Sequence, residues 1–154
     1  MDLILWRHAQ AQALSTDMNQ DMARELTRKG SHQADQMAKW LNKRLPSTVR
    51  VLASPAKRTQ QTAKALGRPF HTVQEINPQA SVDDLWAAAC WPTLKDTVVI
   101  VGHQPTLGLL AARLLTGQDL AWSVRKGAVW WLRLTDREGG QQVALHAVQS
   151  PDLL

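Results

Sequence analysis

The stretch Thr97-Val98-Val99-Ile100-Val101 restricts the fold more than any other part of the chain. It is β-branched throughout and apolar on both faces after Thr97. Such a strand has to be covered from both sides, which is the setting of a central strand in a parallel sheet. A second apolar run, Leu3-Ile4-Leu5-Trp6, lies between Met1-Asp2 and Arg7-His8 and has the same buried character. Val49 to Ala53 predicts a further strand, and Phe70 to Val73 a short one.

Helical spacing fills the intervals. Leu26-Thr27-Arg28-Lys29-Gly30 leads into a helix reaching about Leu45, with Ala34, Met37, Ala38, Leu41 and Leu45 on one face and Pro46 as its stop. Ser54-Pro55 is a candidate N-cap followed by a first-turn proline, opening a helix to about Leu66 with Gly67 beyond it. Ser81 to Ala89 predicts a capped helix with Val82, Leu85, Trp86 and Ala89 on one face, and Thr106 to Leu115 a helix closed by Gly117. Ala128–Leu134 and Val143–Val148 predict two strands joined by Asp136 to Gly140, with Trp130 and Trp131 on opposite faces. Gln10 to Glu25 shows no clear period and is expected to be a long polar loop; loops of that length in compact domains are often functional.

Strands alternating with helices predict a three-layer α/β/α sandwich with a mainly parallel central sheet and an antiparallel edge near the C-terminus. At 154 residues, a single domain over 1–154 is expected. The net charge of +5 suits an anionic substrate. The basic residues come as pairs, Arg28-Lys29 and Lys43-Arg44, and not as tracts, so no nucleic acid is expected. No apolar run approaches the roughly 18 residues of a membrane helix, and no secretory signal opens the chain. The expectation is therefore a cytoplasmic monomer with no membrane partner. Cys90, the single cysteine, sits between Ala89 and Trp91 and is expected to be buried and inert.

Three of the predicted strands end in similar punctuation: Arg7-His8, Ser54-Pro55 with Arg58 one turn on, and His103-Gln104-Pro105. As parallel neighbours they would pool Arg7, Arg58, His8 and His103 at one edge of the sheet, beside the N-termini of two helices. Ligands bind at such carboxyl ends in open α/β sheets. Helix N–H groups and bidentate guanidinium forks favour phosphate. With cations and imidazoles but no carboxylate cluster, neither a metal nor a cofactor is expected, and His8 is the natural nucleophile.

The segments carrying this site resemble the histidine phosphatase, or phosphoglycerate-mutase-like, superfamily. Its Arg-His-Gly strand end corresponds to Arg7-His8-Ala9, and its Leu-Thr-x-x-Gly-x-x-Gln-Ala segment to Leu26 through Ala34. Its Ser-Pro-x-x-Arg-x-x-Gln-Thr-Ala motif is intact from Ser54 to Ala63, and its Gly-His strand end is Gly102-His103. The short chain, without a large insert between motifs, is similar to the phosphohistidine phosphatases of the SixA type. The resemblance implies a metal-independent phosphatase working through a phosphohistidine intermediate on His8, with Arg7, Arg58 and His103 binding the phosphoryl group. It implies phosphohistidine on a protein as substrate. A small phosphomonoester is the alternative within enzymes, and a non-catalytic phosphate- or phosphoprotein-binding module the alternative outside them. Two departures stand out. Ala9 replaces a glycine, which carries strain if that position needs a positive φ. Larger members also use a carboxylic general acid, for which Glu75 is the candidate here. His32 is expected on the surface, His71 and His146 in strands, Thr27 as a helix cap, and Gln61 and Thr62 as supports.

Overall fold

A computed structural model describes residues 1–14 and 16–154. Six strands, β1 (Asp2–Arg7), β2 (Arg50–Ala53), β3 (His71–Thr72), β4 (Val98–Gly102), β5 (Val129–Arg137) and β6 (Gly140–Gln149), form one sheet in the order β3-β2-β4-β1-β5-β6. The first four in that order run parallel, with Arg7 beside Gly102 and Ala53 beside Val101. β5 and β6 add the antiparallel edge. The predicted architecture is thus the observed one, with Val98–Gly102 at the centre and buried throughout.

Alternation along the strands sorts the core into two layers. Leu3, Leu5, Leu52, Val98 and Ile100 face α4 (Val82–Ala89) and α5 (Thr106–Thr116). Ile4, Trp6, Val51, Ala53, Val99 and Val101 face α2 (Arg28–Asn42) and α3 (Lys57–Lys64). Trp131 is buried in the second layer and Trp130 packs on the first, the opposite faces that their adjacency in a strand requires.

Thr27 caps α2 by accepting from the Gly30 N–H at 3.0 Å, and Ser81 forms a capping box with Asp84 at the start of α4. Gly117, at φ 81°, closes α5.

Four expectations are corrected. The stretch expected to be a loop from Gln10 to Glu25 contains a six-residue helix, α1 (Met18–Ala23), capped by Asp17; Ser15 lies outside the described residues. It buries none of its residues, and Met18 and Met22 alone are too few to mark a core-facing stripe in the sequence. Ser54 is not a helix cap: α3 begins at Lys57, because the Ser54 hydroxyl is engaged by the Ala56 N–H and by His103. Cys90 is exposed, since it is the left-handed residue (φ 49°) that turns the chain out of α4. Trp86 lies at the rim of its layer, with its indole N–H donated to the Trp91 carbonyl at 2.8 Å. The β5–β6 ladder also extends further than expected, pairing Arg137 with Gly140 and leaving only Glu138-Gly139 for the turn.

No helix among the described residues is long and apolar enough to cross a membrane.

Candidate active site

The parallel register brings the ends of β1, β2 and β4 to one edge, and backbone bonds lock them together. The His8 N–H donates to the Gly102 carbonyl at 3.1 Å, and the Ser54 N–H to the Val101 carbonyl at 3.1 Å. The Arg7 N–H donates to Ala128 and the Gly127 N–H to His8, tying the entry to β5 into the same corner.

Arg7, His8, Arg58 and His103 meet there. The His8 and His103 rings lie 5.5 Å apart between centroids, and both residues are buried. The Nδ1–H of His8 donates to the Ala9 carbonyl at 2.7 Å. Nε2 therefore carries the lone pair, which is the tautomer a nucleophile needs. Burial is the main reason its pKa is pushed down to about 3; Arg58, Arg7 and Arg24 add to the effect against the Ala9 bond. His103 is pushed down to about 2 by burial first and then by Arg58. Desolvation outweighs the neighbouring guanidiniums in keeping His8 neutral.

Ala9 lies outside the left-handed region, since Cys90 is the sole non-glycine residue with positive φ among those described. The strain expected of an alanine in place of glycine does not arise. Ala9 is fully buried, and its N–H donates to the Thr62 hydroxyl at 3.2 Å, which in turn donates to the Arg58 carbonyl at 2.8 Å. Thr62 is thus a support, as expected. So is Gln61, whose side-chain oxygen accepts from the Leu26 N–H at 2.7 Å.

Each guanidinium is anchored through Nη1 to a backbone carbonyl. Arg7 Nη1 donates to the Val124 carbonyl at 2.9 Å, and Arg58 Nη1 to the Asp21 carbonyl at 2.7 Å. Arg7 Nε and Arg58 Nε are buried donors with no acceptor among the described residues. A buried donor left unpaired costs about 1–3 kcal/mol, and an oxyanion is the partner that relieves two at once. Burial pulls both arginine pKa values below their ordinary value, for Arg7 with help from Arg58.

Two further groups belong to the site that motif reading did not find. Asp21, on α1, bridges Arg58 Nη2 (3.3 Å) and Arg24 Nε (2.9 Å). Arg24 is thus a third guanidinium near the histidines, and it lowers the pKa of both. The signal was present in part: Asp17 is a good N-cap, and Asp21 and Arg24 are spaced for an i, i+3 pair. Three guanidiniums against one carboxylate, with neutral imidazoles, leave a surplus of two positive charges, matched to a phosphoryl dianion.

Glu75 is not brought into contact with these residues. It is exposed on a 3-10 turn (Gln74–Ile76) after β3 and makes no ion pair among the described residues. His32, His71 and His146 are exposed, His146 packing edge-on against Trp131 at 5.6 Å. No group of three or more His, Cys, Asp or Glu side chains suited to a metal occurs among the described residues.

The model of the histidine phosphatase superfamily (branch 1) matches residues 3–85. A phosphohistidine phosphatase SixA homolog of Haemophilus influenzae is 30% identical over 131 residues, covering 74% of this chain and 77% of that protein. Phosphohistidine phosphatase SixA of Escherichia coli is 28% identical, covering 77% and 76%. The structure of the protein histidine phosphatase SixA complexed with tungstate superposes with a TM-score of 0.80 at 25% identity, over 99% of both chains. Sequence match, shared architecture and the paired histidines among buried arginines converge on one conclusion: the chain belongs to the histidine phosphatase superfamily as a SixA-type member, a metal-independent phosphatase and hence a hydrolase.

Proposed function

We propose that the chain dephosphorylates phosphohistidine on a protein partner, with His8 as the nucleophile and Arg7, Arg58 and His103 as the phosphoryl-binding groups. The observation that carries this reading is the state of His8: neutral, with Nδ1–H fixed on the Ala9 carbonyl and Nε2 free, inside a pocket with two surplus positive charges. The related SixA structure was solved with tungstate, an oxyanion of the same shape and charge class as phosphate.

In the first step the Nε2 lone pair of His8 forms a bond to phosphorus while the bond from phosphorus to the leaving nitrogen breaks. That nitrogen keeps the bonding pair and takes a proton from solvent. The Ala9 carbonyl, accepting from Nδ1–H, stabilises the cationic phosphoimidazole. In the second step water attacks phosphorus, the P–N bond breaks, its electron pair returns to Nε2, and the water proton passes to solvent. The arginines hold the phosphoryl oxygens through both steps, so catalysis is positioning plus electrostatic stabilisation.

Phosphohistidine suits a site whose carboxylate, Asp21, is tied to Arg24 and Arg58 and so is not set up as a proton donor. Expelling an alkoxide needs a positioned acid worth about a hundredfold or more. An imidazole, with a pKa of roughly 6.5, leaves as a neutral molecule after protonation by solvent.

Quenching the enzyme with alkali during turnover of a labelled phosphohistidine protein is expected to trap acid-labile, alkali-stable phosphate on His8. His8→Gln is expected to lose both the label and turnover, the latter by at least ~10³-fold. Label on Cys90 or a serine overturns the mechanism. Label on His8 with faster turnover of sugar phosphates, lost in Glu75→Gln, overturns the substrate and makes Glu75 the acid.

A further inference from the structure

Because β1, β2 and β3 are parallel, the segments that follow them leave the same edge of the sheet as His8. α1, Pro55 and the turn from Gln74 to Gln79 wall a groove there of about 540 Å³. It adjoins the phosphate site at two points. Asp21 lines the groove and holds Arg58 through its carbonyl at 2.7 Å, and Pro55 follows Ser54, whose hydroxyl lies 2.7 Å from His103 Nε2.

The groove differs in chemistry from the site it opens from. Met18, Met22, Pro55 and Pro78 make its apolar part. Gln74 and Gln79 add uncharged amides, both exposed. No lysine or arginine lines it, and its one ionisable residue, Asp21, is already shared between Arg24 and Arg58. An anionic substituent placed there finds no cation and faces a carboxylate. A flat uncharged ring finds thioethers, which make favourable contacts with aromatic edges, and amides able to pair with a ring nitrogen.

We propose that this groove holds the leaving group, and that it selects uncharged, ring-shaped leaving groups such as imidazole or phenol against those carrying a carboxylate or a second phosphate. Met18, Met22, Gln74 and Gln79 are then specificity-determining residues. The inference rests on the phosphatase reading above and narrows it: the positive charges are confined to the transferred phosphoryl group.

The test compares kcat/KM for phenyl phosphate and 4-carboxyphenyl phosphate, whose leaving phenols have similar basicity. The wild type is expected to favour phenyl phosphate about tenfold or more, an ordinary size for an unpaired charge at a half-buried site. Gln79→Lys, on one wall, and Met18→Lys, on α1 opposite, are each expected to shrink that preference by about tenfold. Two variants on different elements guard against a local disturbance of α1. A preference absent in the wild type, or unchanged in both lysine variants, overturns the inference while leaving phosphoenzyme formation on His8 intact. Failure to form phosphohistidine with either ester overturns the phosphatase reading itself, and alkaline trapping tells the two failures apart.

Discussion

Two halves of the candidate site are held in place by different means. Arg7, His8, Ser54 and His103 stand at or next to the ends of neighbouring strands, where backbone bonds join Arg7 to Ala128, His8 to Gly102 and Ser54 to Val101. The opposite half, Asp21 and Arg24, stands on and just after α1, which buries none of its residues. Backbone bonds zip the two ends of that arm to each other, the Gln12 N–H to the Glu25 carbonyl and the Thr27 N–H to the Gln10 carbonyl, but side chains fasten it to the rest of the fold: Gln61 accepts from the Leu26 N–H at 2.7 Å, Gln33 from the Gln10 N–H at 3.1 Å, and Arg58 donates to the Asp21 carbonyl at 2.7 Å. Groups that must keep a fixed angle to phosphorus are placed by the sheet, where opening requires breaking the core. Groups that complete the charge balance and wall the leaving-group groove are placed by contacts that cost little to open.

The comparison predicts unequal losses. Arg58→Ala removes a buried fork and leaves Asp21 with one partner fewer; kcat/KM is expected to fall about 10²- to 10³-fold, and inhibition by vanadate to weaken in parallel. Arg24→Ala removes a cation that already bonds Asp21 and Gln12, and the expected loss is about tenfold. Equal losses in steady-state assays of the two variants would erase the distinction between the buried guanidinium on α3 and the one carried by the arm.

Gly30 sharpens it, because it is the point where the arm rests on α2. A Cβ at Gly30 would lie 1.9 Å from the Gln10 carbonyl oxygen, a backbone atom that cannot yield alone. Gly30→Ala is expected to displace Gln10 and loosen the arm, lowering kcat/KM about tenfold and stability by about 1–3 kcal/mol. Phosphoenzyme should still form on His8, since the backbone bonds that join the strand ends do not involve Gly30. A crystal structure showing Gln10 in place, with normal activity, would falsify this assignment of the glycine.

These contrasts also explain what the sequence disclosed. Strand ends carry their chemistry beside an apolar run, so Arg7-His8 and Gly102-His103 are visible as punctuation of Leu3–Trp6 and Val98–Val101. The four helices α2, α3, α4 and α5 could be assigned from period and caps because each has a buried face. The arm has none: α1 is six residues long and solvent-facing, and its Asp21 and Arg24 act across space on Arg58, a pairing no local pattern encodes. Ser54 was misread for a related reason. Ser-Pro is a sound helix-start signal, but tertiary contact with His103 claimed the hydroxyl and moved the helix start to Lys57. Cys90 failed by neighbourhood: flanked by buried Ala89 and Trp91, it is turned outward by its left-handed backbone.

The sheet half also has a thermodynamic signature. His8 and His103 are neutral in the folded protein, with pKa values pushed to about 3 and about 2 from 6.5. Unfolded, they bind protons below about pH 6.5, so the unfolded state takes up more protons as pH falls toward 3. Folding stability carried by these groups is complete above pH 6.5 and is lost as pH drops through that window. Replacing either by a non-titrating residue, as in His8→Gln or His103→Asn, removes one such loss. Urea titrations at pH 7 and pH 4.5 are expected to show each variant gaining about 1–3 kcal/mol on the wild type over that interval. A parallel acid dependence in wild type and variants would place the imidazolium form inside the folded site.

The smallest effect concerns Ser54, and it tests how the sheet half sets a proton. Ser54 is fully buried, accepts from the Ala56 N–H at 3.2 Å, and lies 2.7 Å from His103 Nε2. On the other side of the ring, His103 Nδ1 faces Arg58 Nη2 at 3.4 Å. A guanidinium only donates, so Nδ1 accepts and the proton of neutral His103 sits on Nε2, donated to Ser54. A hydroxyl can both donate and accept. When phosphoryl oxygens take up the Arg58 donors, the Ser54 hydroxyl can rotate to donate to Nε2, leaving the ring proton on Nδ1, directed at the anion. Ser54→Ala removes that reversal and leaves the buried Nε2–H without its acceptor. The expected result is a few-fold loss in kcat/KM, a cost of about 1–2 kcal/mol in stability, and a change in the tautomer of His103 read from imidazole ¹⁵N shifts with and without vanadate. Wild-type protein should change tautomer on adding vanadate and Ser54→Ala should not. If both change alike, the proton on His103 is set by the anion and Arg58 alone, and Ser54 is a packing residue.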